Sequence, residues 1–483
     1  MLKQLLAITE AKEHKKLVTF SGNVLIIGYG SVGQAILPMI LRHVELDPTK
    51  ITVLELGEHK DLFKTRHPTI KYVAKEIVKS NLDEVLSKHV SSGDYIIDVS
   101  LNIDGIAIMT WCLDHEVQYI NTSIERWKDE PDETIHTMAE RTLYHTHQAA
   151  RKALGHSEGK ATCIATHGAN PGLVTHFVKA ALIDIAKAMK LDATVPASRQ
   201  EWAQLAQRTG TKVIHISERD TQVIDVPKIK NEFVNTWSCE GFWAEGRAPA
   251  ELGWGTHEDP EANVFHHIGG PRNAVYLDRP GVATLVKSWV PIGGSYNGFL
   301  VQHSEAVTIS EYLSIGEGPQ AVYRPTVHYA YNPCDAAIVS VHEFRGRELE
   351  MQDAKRIVKD EIVRGIDELG VLLMGHGCNA WWYGSQLGIE EARSLLPHEN
   401  ATSVQVVASL LGAIVWSIKH PKMGYVEPED LPYDEVLAVA KPYLGPMKSI
   451  QSDWTPLEDR NVLYRKPLDK DHPWRFANFK VWS

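Results

Sequence analysis

The residues whose spacing speaks most directly of chemistry are Gly28, Gly30 and Gly33, in the stretch Val24-Leu25-Ile26-Ile27-Gly28-Tyr29-Gly30-Ser31-Val32-Gly33. An aliphatic run entering G-x-G-x-x-G describes a buried parallel strand that turns at once into a helix. Gly28 permits the tight turn, Gly30 lets the backbone approach a pyrophosphate, and Gly33 lets the helix pack closely on the strand. The phosphates would meet the free N–H groups and positive dipole end of that helix. Glycine-rich turns are common, so the context decides. A second strand, Ile51-Thr52-Val53-Leu54, ends in Glu55, 22 residues after Gly33. An acid there accepts hydrogen bonds from the adenosine ribose and repels a 2′-phosphate, which favours NAD over NADP.

Further polar residues sit where other strands should end. Residues 94–100 read as a strand that delivers Ser100 and Leu101 to the cofactor crevice, and residues 118–122 as one that delivers Thr122, followed by Glu125. A strand over residues 161–167 and a helix over residues 173–186 flank Gly168-Ala169-Asn170-Pro171-Gly172. Asn170 is thus placed to orient a nicotinamide or a substrate amine, although an Asn-Pro pair suits a plain turn equally well. His303 and Glu305 lie two apart in the strand-like stretch 299–307, which puts them on one face as a possible acid/base pair. His145 and His147, His257-Glu258, His266-His267 and His342-Glu343 lack the spacing of a ligand set, so no metal is expected.

The elements that would hold these residues follow from the rest of the pattern. Helices are expected at residues 81–89, 107–115 and 138–154, alternating with the short aliphatic strands as in a doubly wound fold. Residues 128–135 read as an acidic surface loop. From about residue 190, beginning with a helix over 199–208, the texture shifts to a Gly-, Pro-, Trp- and His-rich tract with mixed or antiparallel sheet character, and residues 353–369 and 390–395 read as helical. At 483 residues the chain is too long for one ordinary core. A net charge of −11 argues against a nucleic-acid partner and suits a cationic ligand better. Five cysteines without a C-x-x-C pair point to a reducing, cytoplasmic setting. Residues 1–16 lack a secretory apolar core, and residues 404–416 are too short and interrupted for a membrane span and read as a buried helix.

Longer strings carry a family resemblance: Glu218-Arg219-Asp220-Thr221-Gln222, Val234-Asn235-Thr236-Trp237-Ser238, Ala250-Glu251-Leu252-Gly253-Trp254-Gly255-Thr256-His257-Glu258, Gly365-Ile366-Asp367-Glu368-Leu369-Gly370-Val371 and Trp382-Tyr383-Gly384-Ser385-Gln386-Leu387, together with the 168–172 loop. With them the chain resembles the bacterial homospermidine synthases, NAD-dependent enzymes related in architecture to the saccharopine dehydrogenases, over nearly its whole length. The resemblance implies oxidation of putrescine to an imine, attack by a second diamine with loss of ammonia, and return of the hydride to give homospermidine, with spermidine as a further aminobutyl donor. It implies that Glu218, Trp237 and Glu245 hold the ammonium groups. It gives Glu125 a polar or proton-transfer role and places His303 and Glu305 near the nicotinamide. It also implies a homodimer.

The expectation is an α/β chain: a Rossmann-type doubly wound parallel sheet at residues 1–165, a second α+β catalytic domain at 166–375, and a C-terminal segment, 376–483, packing back on both. Gly28, Tyr29, Gly30, Ser31, Val32, Gly33, Glu55, Ser100, Leu101, Thr122, Asn170 and Pro171 should line the NAD site, and Glu125, Asn170, His303 and Glu305 should serve the chemistry. Two alternatives stand beside this. A saccharopine-dehydrogenase-like reductase would need Arg219, Arg247 or Arg279 to clamp a carboxylate, and a catalytically silent NAD or polyamine sensor would use the same folds for binding alone.

Overall fold

The computed structural model describes residues 15–57, 59–128, 137–460 and 468–481. The expected acidic loop and nearly all of residues 1–16 lie outside them. Val24–Ile27, every residue buried, is the hinge of a seven-stranded sheet. On one side it pairs in parallel with Ile51–Glu55 and then Lys71–Ala74; on the other come Tyr95–Asp98, Gln118–Asn121, Cys163–Ile164 and finally Tyr425–Val426, also parallel. Strand order reverses between Val24–Ile27 and Tyr95–Asp98, which opens a crevice beyond their carboxyl ends. This is the doubly wound α/β fold, and its last strand comes from far down the chain.

A ten-stranded mixed sheet forms the second layer. At its centre Val213–Asp220 runs parallel to Thr326–Asn332 and antiparallel to Ile366–His376, which hairpins into Asn379–Gly388. Residues 353–369 are therefore not helical: Ala354–Ile357, Ile362–Arg364 and the start of Ile366–His376 are strands. Charges spaced along this stretch imitate a helical face. Pairing with Glu232–Asn235, Val223–Ile224 and Val213–Asp220 overrides that local preference. Residues 161–167 hold only a two-residue strand, Cys163–Ile164. The expected helix at 138–154 begins as a short 3-10 turn, Ala139–Arg141, and restarts as Leu143–Leu154 where the Thr142 hydroxyl accepts from the His145 N–H.

Between the two sheets lies the helix Ala401–Lys419, the one helix among the described residues long and apolar enough to cross a membrane; 89% of that apolar window is buried inside the protein. Its few polar residues reach both layers. Ser417 meets the Tyr95 hydroxyl at 2.6 Å on the parallel-sheet side, and Thr402 donates to Asp367 at 2.6 Å on the mixed-sheet side. The cysteines at 112, 163, 239, 334 and 378 are all free.

Candidate active site

The crevice has the build of a dinucleotide site. Gly28 turns at φ +94°, and a Cβ there would meet the Val99 carbonyl at 2.8 Å; at Gly33 it would meet the Gly28 carbonyl at 2.4 Å. At Gly30 it would meet nothing within 4 Å, so space lies open over the turn. Gly30 caps the helix Ser31–His43 without any side-chain hydrogen bond, which leaves the first N–H groups for an anion. Ser31 is tied to Ser403 of the central helix at 2.9 Å. Glu55, at its strand's end, accepts from Gly57 N–H at 2.8 Å, His59 Nδ1 at 2.9 Å and the Tyr72 hydroxyl. Burial raises its pKa, but these three donors prevail and hold the carboxyl below its ordinary value. Tyr29 turns out differently from a lining side chain: its ring is fully buried, edge-on to Phe63 at 4.9 Å, so only its main chain follows the turn. Ser100 donates to Asp98 at 2.6 Å, Leu101 remains 37% exposed at the crevice, and Thr122 borders Gly168.

Asn170 and Pro171 join this crevice to the mixed sheet, for Asn170 Nδ2 donates to Glu218 Oε2 at 2.8 Å. Glu218 also accepts from the Tyr329 hydroxyl at 2.5 Å. Burial, with repulsion from Asp220, raises its pKa to about 7 against the lowering pull of Tyr329, Asn170 and His303. Asp220 is raised by burial to about 6, and Asp367, paired across the strands from Asp220, is raised well above its ordinary value by burial and by Glu218 and Asp220. Glu218, Asp220 and Asp367 are thus three neighbouring buried acids with raised pKa values, an arrangement that favours a nearby positive charge. Trp237 donates its indole N–H to the Tyr331 hydroxyl at 2.9 Å, and Tyr331 stacks on Tyr329 at 5.0 Å. The indole is thereby fixed beside the acids.

His303 and Glu305 are neighbours, but not on a strand: the strand Gly294–Phe299 ends first, and His303 is the extended residue that opens the helix Ser304–Tyr312. Glu305 in the first turn suits the positive end of that helix. His303 bridges two carboxylates, with Nε2 3.2 Å from Glu245 and Nδ1 3.2 Å from Glu305. Burial alone would lower its pKa; Glu305 and Glu245 outweigh that and raise it well above the ordinary value, which favours the charged ring. Its ring lies 4.4 Å from Tyr329, which closes the path back to Glu218. Glu125 accepts from the Ser123 hydroxyl at 2.8 Å, and burial, with Asp98 and Glu245 nearby, raises its pKa.

The structure thus gathers Glu125, Asn170, Glu218, Trp237, Glu245, His303 and Glu305 into one region along the crevice. Sequence reasoning did not single out Tyr329, Tyr331, Asp220 or Asp367 for the site. Alternate aromatic positions in Thr326–Asn332 and the Glu218-x-Asp220 spacing carried a usable signal, because period two puts each pair on one strand face. The three arginines weighed as carboxylate clamps are engaged otherwise: Arg219 packs at the Gly293 turn, Arg247 lies 3.9 Å over the Trp243 ring, and Arg279 donates to the Ala283 carbonyl at 2.6 Å. Among the described residues no group of three or more His, Cys, Asp or Glu is arranged to hold a metal ion.

Known proteins are similar to this chain in sequence and fold. Residues 24–164 match the saccharopine dehydrogenase NADP-binding domain, and residues 168–452 the saccharopine dehydrogenase C-terminal domain. Homospermidine synthase of Blastochloris viridis is 41% identical over 470 residues, 95% of this chain and 97% of that protein. The chain belongs to the homospermidine synthase family. The homospermidine synthase of Mesorhizobium japonicum is 40% identical over 95% of this chain and 96% of that one. The crystal structure of the Legionella pneumophila homospermidine synthase, a complex with NAD, superposes with a TM-score of 0.90 at 40% identity, covering 96% of this chain and 98% of that one.

Proposed function

We propose that this protein makes homospermidine: two putrescines yield homospermidine and ammonia, with NAD as a catalytic rather than a consumed oxidant and spermidine as a further donor. The carrying observation is that Asn170, on the lip of the dinucleotide crevice, is hydrogen-bonded to Glu218 at the head of a buried acid and aromatic cluster. The open turn over Gly30 and the ionised Glu55 fit NAD. Although the matching domain is described by NADP, Glu55 puts an anion where a 2′-phosphate would lie. When bound, NAD accepts a hydride from the amine-bearing carbon and later returns it to the new carbon–nitrogen double bond.

The chain's own groups do the rest. Glu218, Asp220 and Asp367 take the distal ammonium, with the Trp237 indole face against the cation. Glu125 receives a proton from the reacting ammonium, since only the neutral amine can release hydride. It returns that proton when ammonia leaves. His303, clamped between Glu245 and Glu305, offsets one of the two negative charges, and the charge that remains attracts the ammonium of the second diamine. Burial of the cluster keeps water from the imine, which would otherwise hydrolyse to an aldehyde.

The family supports a homodimer, and five free cysteines support a cytoplasmic setting. The first sheet supports a boundary near 165, but a boundary at 375 cuts the strand Ile366–His376 from its hairpin partner; residues 376–483 give Tyr425–Val426 to the first sheet and both Asn379–Gly388 and Met447–Ser452 to the second. Incubation of the purified protein with putrescine and a trace of NAD tests the reading. Homospermidine and ammonia are expected. Turnover only with a carboxylated co-substrate, or binding without turnover, would replace it with the reductase or the sensor.

A further inference from the structure

The loop bearing Asn170 is entered through Thr166, a β-branched residue at φ +53°, a left-handed conformation that is costly for such a side chain and persists only when its surroundings over-determine it. Asn121 supplies part of that hold. Its side-chain oxygen accepts from the Thr166 N–H at 2.7 Å, and its carbonyl from the His167 N–H at 2.8 Å. Past the loop, His176 lies in the first turn of the helix Leu173–Ala188, with its Nε2 3.0 Å from Nε2 of His167. Both rings are fully buried. Burial lowers the pKa of His167 to about 3 and that of His176 well below its ordinary value, with His167 and Lys179 adding to the latter.

Two neutral imidazoles sharing this hydrogen bond have one Nε2–H between them. If His167 carried it, the proton of His176 would sit on Nδ1, which is buried and has no partner. An orphaned buried N–H is the costlier defect; an unused lone pair is more easily borne. With the shared proton on His176, the Nδ1–H of His167 points to the Ser409 hydroxyl of the central helix, 3.3 Å away.

We infer that His176, His167 and Ser409 form a directed strut, His176 donating to His167 and His167 to Ser409, which fixes the backbone of residues 168–172 and so aims Asn170 at Glu218. These are positioning residues. The strut ends at a partnerless nitrogen inside the protein, so it holds a conformation and conducts no proton.

The link to turnover rests on the proposed function, whereas the tautomers can be read without it. In histidine-labelled protein near neutral pH, side-chain nitrogen shifts should show Nε2–H at His176 and Nδ1–H at His167. The reverse assignment, or an imidazolium at either position, overturns the inference. His176→Gln, which keeps an N–H near the same place, should retain kcat within about twofold, while His176→Leu should lose about tenfold with KM for NAD unchanged. Equal losses in the two variants, or wild-type kcat in a folded Leu variant, also overturn it. If the Leu variant does not fold, the wild-type spectra decide alone. Wild-type protein that makes no homospermidine sinks the functional reading and leaves the strut to be judged by those spectra.

Discussion

The cofactor crevice and the amine cluster are built on opposite plans. In the crevice the two main features are local to strand ends: the Gly28 turn follows Val24–Ile27, and Glu55 closes Ile51–Glu55 with partners at 57, 59 and 72. In the cluster almost every contact spans a long stretch of chain: Asn170 to Glu218, Glu218 to Tyr329, Trp237 to Tyr331, Glu245 to His303. Main-chain geometry makes the first and buried side-chain electrostatics the second. They should therefore fail separately.

The largest effect is expected from Gly33→Ala. The added Cβ would sit 2.4 Å from the Gly28 carbonyl, backbone against backbone with no flexible side chain to yield, so the turn must open. NAD affinity in a fluorescence titration should fall by about a hundredfold or more, while putrescine still protects the folded variant in a thermal melt. Loss of that protection would mean that the two regions are one unit. Next comes Trp237→Ala, which under the proposed function loses a desolvated cation–π contact of about 2 kcal/mol, or about 30-fold in the amine. The NAD dissociation constant should stay within about twofold; a matching loss there would take Trp237 out of the amine site.

The same division governs what the sequence disclosed. The turn, its strand and Glu55 were legible because dinucleotide binding demands fixed spacing within one βαβ unit. Asn170, His303 and Glu305 are suggested by local pattern, but Glu218, Trp237 and Glu245 are reached only through resemblance, since no local spacing says that residue 218 faces residue 329. His303 and Glu305 were rightly paired but on the wrong element: a two-residue separation suits a strand face, yet a helix start also lets the extended cap residue turn back toward the first turn. Residues 353–369 show the complementary case, a helix-like charge pattern overruled by pairing with strands more than a hundred residues away. Tyr29 stands inside the motif, where position alone points it to the cofactor, but its ring packs in the core.

A subtler contrast lies in protons. Glu55 is held below its ordinary pKa, which favours its carboxylate at neutral pH, while Glu218 is raised to about 7. An ammonium arriving beside Glu218 favours its carboxylate, so amine binding should release protons near pH 6.5 and tighten as pH rises through about 7. The stability sign is opposite. A raised folded pKa contributes stability that is complete below the unfolded value and is lost as pH climbs through about 7, with Asp220 acting in the same sense through about 6. Putrescine should therefore raise Tm more at pH 8 than at pH 6. Calorimetry in buffers of different ionisation enthalpy counts the protons: Glu218→Gln should reduce the release with putrescine, Asp220 and Asp367 supplying the rest, and NAD binding should release almost none in either protein.

The smallest effect, and the finest test of the crevice, is Tyr72→Phe. Tyr72 comes from Lys71–Ala74, the edge strand that sequence patterning passed over, and its hydroxyl is one of three donors on Glu55. Two donors remain in the variant, so the carboxylate keeps its charge but loses part of its orientation. For a partly exposed charge-assisted hydrogen bond the expected loss is about threefold in NAD affinity, with NADP affinity unchanged or slightly improved. Amine kinetics at saturating NAD should not move. If they do, the edge of the parallel sheet reaches the cluster through the cofactor, and the division between the two regions holds only while the crevice is empty.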